Sequence, residues 1–71
     1  DAVQQELFPE LNEEELMLVR MLRQADDKHI NQIVAESGIS YSRVSMILFD
    51  LEMKGIVKAL GGARYKIVRR L

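Results

Sequence analysis

"SGISYSRVSMILFDLEMKG", residues 37–55, is a helix bracketed by its own start and stop signals and apolar on two sides. Ser40 stands where a cap oxygen accepts the first free amide protons, and the helix runs from it to Lys54. Gly55 stands where a chain leaves a helix through the left-handed region. At about 100° per residue, Val44, Ile47, Leu48 and Leu51 fall in one stripe, the face that docks on a core. The opposite face carries Ser42, Ser45, Met46, Phe49, Asp50 and Met53. Docking on a core does not require that second apolar line. The helix therefore suits a nucleic-acid groove, another protein surface, or both.

The flanking residues supply the architecture. Upstream, "HINQIVAESGIS" predicts a second helix capped by Asn31, with Ile33 and Val34 apolar and Gly38 as its left-handed stop. Gly38 lets the chain reverse, Ile39 plugs the angle between the two helices, and the small Ala35 leaves them room to approach. Further upstream, Asn12 with Glu15 three places on forms a capping-box pattern, and Glu13, Glu14 and Glu15 sit where a helix dipole favours acids. Leu16, Val19, Met21 and Leu22 carry this first helix to about Gln24, and Ala25-Asp26-Asp27 ends it. Lys28-His29-Ile30 is long enough for one β-bridge segment. Downstream, "IVKAL" and "ARYKIV" alternate around Gly61-Gly62, which favours a tight primed hairpin turn. The order is helix, short strand, helix, four-residue turn, helix, hairpin. The fold class is α+β, mostly α: a winged helix-turn-helix with three helices and a small β-hairpin wing. Residues 12–71 are assigned to it. Residues 1–11, with Pro9 and apolar anchors at Leu7, Phe8 and Leu11, read as a linker or N-terminal extension.

Bulk properties bound the function. A chain of 71 residues holds one small domain, and 48% apolar with 30% charged residues is ordinary for a soluble globular fold. The longest apolar run, Met46-Ile47-Leu48-Phe49, is far short of a membrane span, and neither a secretory segment nor a cysteine is present. A cytoplasmic module fits, and a start at Asp1 without an initiator methionine suggests a piece of something longer. Net charge is −1, yet it divides unevenly. Residues 1–28 hold eight acids and three bases, and residues 29–71 three acids and seven bases, so −5 faces +4. The basic half is the one to meet a polyanion, unless both halves are simply solvated faces.

Three blocks carry a family likeness: "LFPELNEEE" (7–15), "HINQIVAESGIS" (29–40) and "ILFDLEMKGIVKALGGARY" (47–65). Together they resemble the C-terminal winged-helix domain of the DNA-processing protein A (DprA, also called Smf) family. The most specific residues are Leu48, Leu51-Glu52, Gly55, Val57, Gly61-Gly62 and Tyr65, and the likeness covers residues 7–68. It implies a parent protein that handles single-stranded DNA taken up in natural transformation and helps load the RecA recombinase onto it. It also implies a main DNA-binding surface on a Rossmann-like domain outside these residues, with the winged helix as an accessory module. DNA, RecA at the level of the parent, and the parent's own Rossmann-like domain are the implied partners.

Enzymatic chemistry finds no footing. One histidine and no cysteine give neither a metal quartet nor a Cys-His pair, so neither metal nor cofactor is expected. His29 stands alone as a strand residue beside Ile30 and reads as a structural or surface residue, not a catalytic one. Glu13, Glu14 and Glu15 point in different directions on a helix and do not converge on one bond. Gly61-Gly62 lacks the lysine and following helix of a phosphate loop.

Binding is the remaining class, and two surfaces compete for it. For DNA, Ser42 and Ser45 reach phosphates or bases from the third helix, where Arg43 is the only base before Lys54. Asp50 repels phosphate there, so the face argues against sequence-specific reading in a major groove. In the wing, Tyr65 and Ile67 share the core side while Arg64 and Lys66 share the other, with Lys58 on the partner strand and Arg69 and Arg70 beyond. The DNA candidates are thus Ser42, Arg43, Ser45, Lys58, Arg64, Lys66 and Arg69. Basic residues on exposed strands also block edge aggregation, and that reading stands level. About four neutralised phosphates imply a log-log salt slope of roughly −3 to −4. For protein contact, Met46, Phe49 and Met53 form the apolar strip. Leu7 and Phe8 of the linker, a second copy or partner protein, and the parent's Rossmann-like domain are its three candidate covers. The expected role is an accessory domain making weak, sequence-independent DNA contact; the alternative is a protein-interaction or dimerisation module without DNA binding. A free-standing transcriptional regulator is disfavoured, since no dimerising extra helix and no polar recognition face are visible.

Overall fold

The computed structural model describes residues 10–68, so Leu7, Phe8, Arg69 and Arg70 lie outside the described residues. Helix α1 spans Glu13–Arg23, strand β1 Lys28–His29, helix α2 Ile30–Ser37, helix α3 Tyr41–Met53, strand β2 Val57–Leu60 and strand β3 Arg64–Ile67. The strands form one antiparallel sheet in the order β1-β3-β2, so the hairpin's second strand is central.

Each helix end has a local cause. At α1 the Asn12 side chain accepts the Glu15 amide proton at 2.8 Å, while the Glu15 carboxylate accepts that of Asn12 at 3.0 Å. Both halves of a capping box are therefore closed. At α3 the Ser40 hydroxyl accepts the Arg43 amide proton. Its far end closes with Gly55 N–H donating to the Glu52 carbonyl and Ile56 N–H to the Leu51 carbonyl, Gly55 standing at φ +77°. Those two bonds are a Schellman motif, and its apolar contact is made by Ile56 and Leu51, both buried.

Four local expectations need correction. Ile30 opens α2 instead of extending β1. The cap of α2 is His29, whose Nδ1 accepts the Asn31 amide proton at 3.0 Å, so Asn31 lies inside the helix. A histidine in extended backbone places a ring acceptor where Asn or Ser usually supplies one. The turn between α2 and α3 holds three residues, 38–40, instead of four, with Gly38 at φ +73° as the left-handed stop. Ala35 is exposed and takes no part in the helix approach, whereas Ile39 packs against the core.

The hairpin turn differs as well. Leu60 is opposite Arg64, so the loop is Gly61, Gly62 and Ala63, not the glycine pair alone. The positive φ values fall at Gly62 (+76°) and Ala63 (+60°), one residue later than the Gly-Gly pair suggested. Ala63 is held there because its carbonyl accepts the Ile30 amide proton at 2.9 Å, a bond that ties the wing to the start of α2. A left-handed alanine costs about 1 kcal/mol. Ala63→Asn, which tolerates this region without loosening the unfolded chain as glycine does, is expected to raise stability by roughly 0.5 kcal/mol in thermal or urea unfolding.

The core gathers one face from every helix: Leu16, Leu18, Val19 and Leu22 of α1, Ile30 and Ile33 of α2, and Val44, Ile47, Leu48 and Leu51 of α3. Val57 and Ile67 close it from the sheet, with Tyr65 half-buried beside them, and Leu11 enters from ahead of α1. The core stripe expected of α3 is the one observed.

Candidate nucleic-acid interface and the outer face of the third helix

Ser42 and Ser45 are exposed on α3, on the side away from the core. Around them Met46 is 61%, Phe49 60% and Met53 72% exposed, so the second apolar line is left open by every described residue. Arg43, in the first turn of α3, donates from its guanidinium to Glu14 of α1. Arg64, on β3, donates from Nε to Asp27, just ahead of β1. Lys54, the C-cap of α3, places Nζ 2.8 Å from Glu15.

The two-sided charge of the sequence thus closes on itself. Three ion pairs each join an acid from the first 28 residues to a base from the rest, across 29, 37 and 39 positions. A fourth runs the other way, from Lys28 of β1 to Glu36 of α2 at 2.6 Å. No local pattern announces partners so far apart, which is why the sequence reads as two charged halves and the fold does not. Of the bases between residues 29 and 68, Lys58 and Lys66 are the two with no ion pair among the described residues. They stand directly opposite each other across β2 and β3, on the sheet face that also bears Arg64. Like charges placed so repel by a few tenths of a kcal/mol.

The Glu36 carboxyl is held below its ordinary range, first by the Lys28 ammonium and then by the Gln32 amide, which donates at 3.1 Å. A carboxyl lowered by folding stabilises the fold at pH values above its unfolded value, and that contribution is lost as acid protonates it. Glu36→Gln is therefore expected to be less stable than the parent near neutrality. Acidifying below about 4 narrows the difference, and unfolding midpoints across pH 3 to 7 read it.

Among the described residues no cluster of three or more His, Cys, Asp or Glu is arranged to hold a metal ion, and no helix is long and apolar enough to cross a membrane. Three helices, a tight turn between the second and third, and a β-hairpin folded back beside them define a winged helix-turn-helix domain. The family model of the DprA winged helix domain matches residues 4–63 of the 71, and the chain belongs to that family. That assignment gives it a DprA-like role within a family of non-catalytic domains. No curated protein and no solved structure matches the chain.

Proposed function

We propose that this domain is the accessory winged helix of a DprA-like protein acting in DNA uptake, natural transformation and RecA loading, and that it gives the parent a weak, sequence-independent hold on DNA through its wing. The reading rests on one observation: between residues 29 and 68, Lys58 and Lys66 are the two bases with no ion pair among the described residues, and the fold sets them side by side. Arranging like charges in register works against folding, and a phosphate oxygen relieves that strain. Contacts of this kind position a nucleic acid without reading its bases. Single and double strands are both substrates in this view, and the DNA seen by the RecA recombinase is the parent's to present.

Two bases are fewer than the sequence promised, since Arg43 and Arg64 already hold acids. The contribution of the described residues is then a salt slope near −2 for a duplex. Fluorescence anisotropy of labelled oligonucleotides against the 71-residue chain, at about 20 mM and about 150 mM salt, tests it. Binding that saturates at low salt and fades at the higher is the expected result; no binding at low salt overturns it.

A further inference from the structure

The exposed line on α3 has a spacing of its own. Ser42, Met46, Phe49 and Met53 follow one another at four, three and four residues, the step of a coiled-coil seam over the whole of the helix Tyr41–Met53. The seam lies opposite the buried Val44, Leu48 and Leu51, so no described element competes for it. Beside it on one flank are Arg43 and Asp50, and on the other Ser45 and Glu52, all exposed.

These flanks distinguish the possible partners. In an antiparallel pair of identical helices, each seam residue packs against one whose number complements its own, so Met46 meets Phe49 and Ser42 meets Met53 across a two-fold axis. The same axis brings Arg43 against Asp50, twice, and Ser45 against Glu52, twice. Every charged flank then faces an opposite or neutral one. A parallel pair instead sets Asp50 against Ser45 and gives Arg43 no acid from the other helix. Arg43 keeps donors to spare beyond its bond to Glu14, since a guanidinium has five.

We propose that α3 pairs antiparallel with α3 of a second copy of this chain, through Met46, Phe49 and Met53, with Arg43 and Asp50 of each copy meeting Asp50 and Arg43 of the other. Three exposed side chains and their flanks bury of the order of 1,000 Å² in total, the low end for a specific interface. The dimer is accordingly weak, with a Kd on the order of 100 µM. The pairing uses the face a duplex groove would need, and it stands independently of phosphate contact at the wing.

Sedimentation velocity of the 71-residue chain from about 10 µM to about 1 mM tests the proposal. A concentration-dependent shift from monomer to dimer is expected. Phe49→Asp, at an exposed position that leaves the core intact, is expected to weaken it about tenfold or more. Asp50→Arg and Arg43→Glu each set like charges against one another and weaken it alone. Mixed in equal amounts, the two variants restore opposite charges at both contacts between positions 43 and 50 and associate again. Should Arg43→Glu fail to fold, Asp50→Arg and Phe49→Asp carry the test. The proposal is overturned if the chain stays monomeric at about 1 mM, if Phe49→Asp associates like the parent, or if the mixture does not recover. A monomer that begins to associate once residues 1–9 are removed assigns the strip to Leu7 and Phe8 instead.

Discussion

Glu15→Ala is expected to lower the stability of the domain by about 2–3 kcal/mol, out of a total near 5 for a chain of this size. Glu15 is the one charged residue buried in the described structure, 4% exposed, and each of its carboxylate oxygens has a task. Oε1 accepts the Asn12 amide proton and completes the capping box of α1. Oε2 receives Lys54 Nζ at the far end of α3. Losing half of a capping box costs about 1 kcal/mol, and losing a charge-assisted hydrogen bond about 1.5–3. The sum stays below the loss seen when one partner of a fully buried pair is removed, because Lys54 is about one-third exposed and its ammonium can turn to water. Urea unfolding followed by far-UV circular dichroism reads the change as a lower midpoint at an unaltered slope. Glu14→Ala is the internal control. Glu14 pairs with Arg43 at the surface, where such a pair is worth under about 0.5 kcal/mol. If Glu15→Ala costs no more than Glu14→Ala, Glu15 does not join the two helices as described.

The contrast between these neighbouring glutamates marks how far the sequence could be read. Asn12 and the residue three places on announce a capping box through spacing alone, and the structure closes both of its bonds. The stripe of Val44, Ile47, Leu48 and Leu51 was equally legible, because helical periodicity acts within a single turn. Gly38 and Gly55 marked their helix ends because a positive φ suits glycine. What escaped was set by distant parts of the chain. Lys54 finds Glu15 across 39 positions, and Arg64 finds Asp27 across 37. The hairpin turn slipped by one residue because Ile30 holds the Ala63 carbonyl, a bond no property of Gly61-Gly62 could foretell. His29 as a cap was missed because histidine is an unusual acceptor at that position. At the wing, alternation placed Arg64 and Lys66 on one face, while the neutralisation of Arg64 needed the fold.

Lys58→Glu together with Lys66→Glu is expected to reduce DNA binding by the chain at least tenfold at low salt, about 1.4 kcal/mol or more. The change removes the two wing bases that have no ion pair among the described residues and sets two acids against the phosphates, while the positions are exposed or half-buried and outside the core. Two opposed glutamates repel about as two lysines do, so the fold's stability should scarcely move. Electrophoretic mobility shift and anisotropy at about 20 mM salt measure the loss. Asp27→Asn supplies the converse. Asp27 occupies Arg64, and neutralising it releases a third base beside the lysine pair. One more phosphate contact should tighten binding and steepen the log-log salt slope by about 0.9 on a duplex and 0.7 on a single strand. The two variants act through opposite changes in the same count of free bases. A wing that merely resists edge aggregation predicts neither effect, for solubility would respond to Lys58→Glu with Lys66→Glu while the salt slope stayed flat. If the double reversal leaves binding intact but Asp27→Asn strengthens it, Arg64 is the phosphate contact and the lysine pair is the bystander.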